Sequence, residues 1–283
     1  MEKPVAALLF DCVDQVGIIA SLANFFSQRE LNISRYEEFA DDGHFFSRLE
    51  WPVNHRWEGE EAFNEEFQTF ADSFKASYSV KFINRKQKVG LFASNQPHAL
   101  IEILNKHEAN FIPGLEISFI IGNDQSMQRI ADRHAVPFFF IATDINALTY
   151  EEQQMDIVHR YQPDYIGLAR YMKILSANFI ARVGCPIINI HHSFLPSFVG
   201  AKPYQMAHDR GVKLIGATSH FVTADLDQGP IIEQDVKRVY QGSSVQNMIK
   251  MGRDIERQVF AQAMQKVLEH KTIVFKNRTI VFN

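Results

Sequence analysis

Residues 187–196 read Ile-Ile-Asn-Ile-His-His-Ser-Phe-Leu-Pro, an apolar run that carries an amide and two imidazoles toward its far end and then breaks. In a strand, residues i and i+2 share a face, so Asn189 and His191 are expected to point one way and His192 the other. A strand this apolar on both faces belongs in a sheet covered on both sides. The chain leading to it keeps the same style. Val89–Ala93, Leu115–Ile121, Phe138–Ile141 and Tyr165–Leu168 read as short strands, separated by helical patterns over Pro97–His107, Asp124–His134 and Tyr150–Tyr161. Strand and helix in alternation predict a mainly parallel α/β sheet. Leu214–Val222 and Ile231–Val239 follow as later strands, Ser244–Leu268 as a long amphipathic helix, and Thr272–Phe282 as a hairpin turning at Asn277. Ligands in such sheets bind beyond the carboxyl ends of the strands, which is where residues 189–196 fall.

Toward the N-terminus the rhythm differs. Val5–Phe10 is β-prone and ends in a turn over Asp11–Gly17, after which Ile18, Ile19, Leu22, Phe25 and Phe26 recur at helical spacing toward Asn32. Ile33–Phe39 and Phe45–Trp51 read as strands about the Asp41-Asp42-Gly43 turn, with Pro52 as a stop. Phe63, Phe67, Phe70 and Phe74 mark a helix from Glu60, and Tyr78–Ile83 is a fourth strand. The order βαββαβ predicts a ferredoxin-like split βαβ unit. Lys81–Lys88, with four basic residues, reads as a solvated connector, and the boundary is placed between domains 1–85 and 86–283.

The 283 residues suit two domains, and 46% hydrophobic with 22% charged residues is an ordinary globular balance. A net charge of −4 lacks the basic footprint of a nucleic-acid binder. Cys12 and Cys185 lie far apart, so neither a disulfide framework nor a thiolate metal cage is expected, and a reducing compartment is. Val5–Phe10 runs straight into Asp11, unlike a secretory signal, and Ala135–Ala142 is far too short to span a bilayer. These features predict a cytoplasmic protein that engages neither membrane nor nucleic acid.

Chemistry is expected from two clusters. In the first, Asn189 and His191 share a face at a strand end, whereas His192 on the other face does not readily share one ion with His191, so no metal site is expected. The second runs Gly216–Val222 into Asp225-Leu226-Asp227-Gln228-Gly229-Pro230. Asp225 and Asp227 both read as ordinary loop acids or as site residues, Asp227 being the more constrained because Gly229-Pro230 restricts where it can aim. An acid beside an imidazole orients it and suits proton transfer near neutral pH. His220 is either a core histidine or a partner behind these groups. No phosphate loop occurs, since the first strand of the larger domain opens onto Ser94-Asn95-Gln96-Pro97-His98, and Ser193 lacks a G-x-S-x-G elbow.

Asn189-Ile190-His191-His192-Ser193 with Asp227-Gln228-Gly229-Pro230 resembles the folate-dependent formyltransferase fold. Within it, the whole chain is similar to the formyltetrahydrofolate deformylase family, through Asp11-x-x-Asp14-x-x-Gly17, Tyr171-Met172-Lys173-Ile174-Leu175, NIHHSFLPSFVGAKPY and LDQGPII. The resemblance implies an N-terminal ACT-like domain followed by a Rossmann-like formyltransferase domain. It implies hydrolysis of 10-formyltetrahydrofolate to tetrahydrofolate and formate, balancing one-carbon pools for purine biosynthesis, with no cofactor beyond the folate substrate. It carries catalytic roles onto Asn189, His191 and Asp227, and a pterin pocket onto Met172, Lys173, Ile174, Leu175, Ile180 and the backbone of the Ala224–Asp227 loop, with Ala224, Asp225 and Leu226. An amino-acid effector at Asp11, Asp14 and Gly17 and a homo-oligomer, dimer or tetramer, are implied as well, the alternative being a domain that serves assembly alone. Two other functions stay open: formyl transfer to an amine such as glycinamide ribonucleotide, disfavoured by Ser94–His98, and a non-catalytic folate or amino-acid sensor, which would not need the three polar groups together.

Overall fold

The computed structural model describes residues 5–53, 60–83, 85–143, 146–196 and 203–283, which divide into two compact units. The first holds residues up to 85 together with 267–275 and 280–283; the second holds 86–266 and 276–279. The sequence reading leaves 86–283 in one piece, whereas most of the C-terminal hairpin packs within the first unit.

In the first unit β1 (Val5–Val13), β2 (Arg35–Asp41), β3 (His44–Pro52) and β4 (Ser77–Phe82) form an antiparallel sheet in the order β2-β3-β1-β4. The β2–β3 turn works because Asp42 and Gly43 both take positive φ, +51° and +70°, which matches the twist of the flanking strands. α1 (Ile18–Gln28) and α2 (Glu60–Phe74) cover one face with an aromatic core, in which Phe25 meets Phe67 edge-on at 5.0 Å and Trp51 stacks on Phe63 at 5.0 Å. Leu9 and Phe46 point to the opposite face and are buried by Ile273, Ile280 and Phe282. Arg48, also buried, donates from Nε to the His270 carbonyl and from Nη2 to the Glu269 carbonyl, both at 2.8 Å, and from Nη1 to Glu50.

The second unit is a seven-stranded sheet of β5 (Gln87–Ala93), β6 (Leu115–Gly122), β7 (Phe138–Phe140), β8 (Tyr165–Ala169), β9 (Ile187–His191), β10 (Leu214–Phe221) and β11 (Ile231–Arg238). Its order is β11-β10-β9-β8-β5-β6-β7, parallel from β9 to β7, with β10 antiparallel to both neighbours. α3 (His98–Glu108), α4 (Gln128–Arg133) and α5 (Ala147–Tyr161) fall where the periodicity places helices. Two short helices, α6 (Ala177–Arg182) and α7 (Pro203–Asp209), have no counterpart in the sequence reading. α8 (Val245–Leu268) buries Ile255, Val259, Phe260 and Met264, and the C-terminal hairpin pairs β12 (Thr272–Phe275) with β13 (Arg278–Val281). Among the described residues no helix is long and apolar enough to cross a membrane.

Candidate active site

The antiparallel β9–β10 register sets Asn189 opposite His220 and His191 opposite Thr218. Residues opposite one another share a face, as do residues i and i+2, so Asn189, His191 and His220 stand together. His220 Nδ1 lies 2.8 Å from the Phe221 carbonyl. A carbonyl only accepts, so Nδ1 carries the proton of the neutral ring and Nε2 presents a lone pair. Asn189 Nδ2 donates to that lone pair at 3.2 Å. The contact fixes which way the amide faces and leaves its second N–H for another acceptor.

Asp227 reaches the same face from the loop after β10. A Cβ on Gly229 would come within 1.8 Å of the Phe221 carbonyl oxygen, so only glycine lets the loop lie this close to β10. The Phe221 N–H donating to the Pro230 carbonyl at 2.9 Å closes the loop. Asp227 Oδ2 then sits 3.3 Å from His191 Nδ1, and Oδ1 sits 3.6 Å from His220 Nε2. The His191 imidazole beside it holds the Asp227 carboxyl well below the usual carboxylate range against the opposing effect of burial. With Nδ1 facing a carboxylate, His191 Nε2 keeps its lone pair, and this buried atom has no partner among the described residues.

These groups line a cavity of about 290 Å³. Its apolar wall includes Met172, Ile174, Leu175, Ile180 and Leu226, with Lys173 and Ala224 beside them. Two polar ties shape the 171–176 segment. Ser94 Oγ, at the carboxyl end of β5, accepts from the Met172 N–H at 2.9 Å, and Glu151 accepts from the Ser176 N–H at 2.7 Å and from its hydroxyl. Ser176 in turn caps α6 by accepting from the Phe179 N–H. Lys173 Nζ donates to the Thr143 carbonyl at 3.3 Å.

Asp225 and His192 stand differently from the other expected residues. Asp225 is exposed and lies outside the cavity lining; its carbonyl accepts from the Thr223 hydroxyl at 3.1 Å, which makes it a turn residue. His192 is not turned away from the site. β9 ends at His191, so strand alternation no longer governs the next residue, and the two rings lie 4.9 Å apart with both lining the cavity. Burial first, then the nearby Arg170 and His191, push the His192 imidazole down to about 4. Arg170, which follows β8 and lines the cavity, carries no signal in the sequence. A lone charged residue after a short strand resembles an ordinary solvated end.

In the first unit, Asp11, Asp14 and Gly17 flank the β1–α1 turn. Asp11 Oδ2 meets His44 Nε2 at 3.2 Å, the Asp14 N–H donates to the Gly43 carbonyl, and Gly17 precedes α1 with φ +96°. Among the described residues no group of three His, Cys, Asp or Glu side chains is arranged to hold a metal ion.

The chain is similar to known proteins over its whole length. The formyl transferase family model matches residues 87–264. A formyltetrahydrofolate deformylase of Synechocystis sp. is 39% identical, with 100% of both chains covered. One from Bacillus subtilis is also 39% identical, covering 98% of this chain and 93% of that one. The crystal structure of a formyltetrahydrofolate deformylase from Pseudomonas syringae superposes with a TM-score of 0.95 at 36% identity, over 100% of this chain and 96% of that one. A glycinamide ribonucleotide transformylase from Symbiobacterium toebii gives a TM-score of 0.65 at 25% identity, over 70% of this chain and 95% of that one.

Proposed function

The chain belongs to the formyltetrahydrofolate deformylase family, and on that premise we propose that Asn189, His191 and Asp227 are the groups with which it works. The enzyme hydrolyses 10-formyltetrahydrofolate to tetrahydrofolate and formate. The observation that carries the assignment is His191 Nε2, without a partner among the described residues, set beside an amide with a spare N–H and backed by an ionised carboxylate.

The sequence leaves open whether His191 or Asp227 takes the first proton. Asp227 is spent on His191 and is a weak base, whereas His191 Nε2 has no partner among the described residues, so His191 is assigned as general base. As the water oxygen bonds to the formyl carbon, Nε2 takes a proton and Asn189 donates to the developing oxyanion. The imidazolium, stabilised by Asp227, then protonates N10 as the C–N bond breaks. Tetrahydrofolate and formic acid result, and the acid ionises at neutral pH. Acid–base chemistry by three side chains needs no metal ion or further cofactor. Met172, Ile174, Leu175, Ile180 and Leu226 offer apolar surface to the pterin, with Lys173 and Ala224 at its edge.

For the first unit, the βαββαβ order in a β2-β3-β1-β4 sheet supports an ACT-like role. An amino-acid effector would act at Asp11, Asp14 and Gly17 in a dimer or tetramer of the chain. Two unpaired cysteines suit a cytoplasmic enzyme. The activity is tested by incubating purified protein with 10-formyltetrahydrofolate and no acceptor. Formate and tetrahydrofolate should appear in equal amounts; formation of tetrahydrofolate only after an amine acceptor is added would make the enzyme a transferase.

A further inference from the structure

Beside the catalytic cavity lies a second one of about 530 Å³, and Arg170, Met172 and His192 line both. Its floor is a buried carboxylate. Glu256 Oε2 accepts from His98 Nε2 at 2.7 Å and meets Arg170 Nε at 3.2 Å, while Oε1 accepts from the Tyr204 hydroxyl at 2.8 Å. Burial alone would raise Glu256, but His98, Arg170 and Tyr204 together hold it below its usual range. Both carboxylate oxygens are therefore occupied. Arg170 is used differently: its side chain is only 12% exposed, yet among the described residues neither terminal nitrogen makes a hydrogen bond. Arg253, which donates to Gln96 at 2.9 Å, adds a second cation to the lining.

The backbone points to Arg170 independently. Of the ten non-glycine residues at positive φ among those described, Glu30, Lys75, Asn110, Ala135, Gln162 and His270 follow helix ends, and Asp42 and Lys276 sit in hairpin turns. Arg170 (φ +61°) and Asp227 (φ +56°) remain, both at the catalytic cavity. A left-handed backbone is unfavourable for an arginine, and strain of this kind gathers at functional sites.

We propose that Arg170 and the second cavity form a subsite for a small carboxylate, the formate product, and its way out while the folate still fills the apolar mouth. This rests on the hydrolytic reading above. Formate is released beside the Asp227 carboxylate, which repels it, and among the described residues Arg170 is the cation that lines both compartments. Its two terminal nitrogens, without hydrogen bonds among the described residues, match a carboxylate's two oxygens. His192, uncharged near neutral pH, stands at the passage without adding a charge that would trap the anion.

The test is inhibition of tetrahydrofolate formation by added sodium formate, with sodium chloride at equal ionic strength as control. Formate should inhibit the wild-type enzyme. In Arg170→Met its inhibition constant should rise by at least about tenfold, as expected for a lost charge-assisted hydrogen bond, with partial recovery in Arg170→Lys. Arg253→Gln, which leaves every Glu256 contact in place, should weaken inhibition by about twofold to fivefold, the scale of one partly screened charge, and it decides the matter if Arg170→Met does not fold. Wild-type enzyme indifferent to formate, or equal inhibition constants in all soluble variants, would overturn the subsite. Because turnover without added formate is read in the same assay, an enzyme that makes tetrahydrofolate but ignores formate sinks only the subsite. One that makes none sinks the hydrolytic reading.

Discussion

Arg48 and Arg170 are both largely buried arginines with a carboxylate neighbour, one in each unit, and they are spent in opposite ways. Arg48 is 1% exposed, and Nε, Nη1 and Nη2 all have acceptors, two of them the carbonyls that follow α8. Arg170 touches Glu256 through Nε and leaves its outer nitrogens toward two cavities. A buried polar group that is fully satisfied acts as a staple, because removing it strands its partners. One left unsatisfied carries a standing energetic penalty and marks where a ligand completes the set. His191 Nε2 belongs with Arg170 in that second class.

The contrast breaks most sharply at His191. His191→Ala should lower turnover by about 10²–10⁴, and Asn189→Ala by about 10²–10³, with melting temperature and circular dichroism close to wild type. A His191→Ala enzyme with normal turnover would remove it from the chemistry. Arg48→Met should do the reverse. Losing one member of a satisfied buried cluster costs about 3–5 kcal/mol of stability, read by chemical denaturation, and a change within error would show that Arg48 is no staple. Smallest is a pH effect common to both units. Burial pushes His270 in the first unit and His192 in the second down to about 4 from an ordinary 6.5. Between those values the unfolded chain binds more protons than the folded one, so the stabilisation is whole above pH 6.5, falls as pH drops toward 4, and falls no further below it. For His270 the full span is roughly 3 kcal/mol at most. His270→Asn, which tolerates the positive φ at this position, should flatten the dependence measured between neutral pH and about pH 5.

What could be read in advance follows the range of the forces involved. β9 was legible because its apolar run and its polar end are adjacent in sequence, and Asp227 because Gly229-Pro230 restricts it locally. α6 and α7 span six and seven residues, too few for a helical period to show. α6 depends instead on Ser176 and the distant Glu151. Strand alternation misplaced His192 because the strand stops one residue earlier. Arg170 has significance only through Glu256, far along the chain. The C-terminal hairpin was recognisable as a hairpin, but nothing local says that Ile273 and Ile280 meet Leu9 and Phe46.

That last contact has a consequence during translation. β1 and β3 leave the ribosome early, yet Leu9 and Phe46 stay uncovered until residues 273–282 have been synthesised. The first unit to emerge is thus the last to be completed, and the nascent chain must shield a greasy sheet face for most of its synthesis.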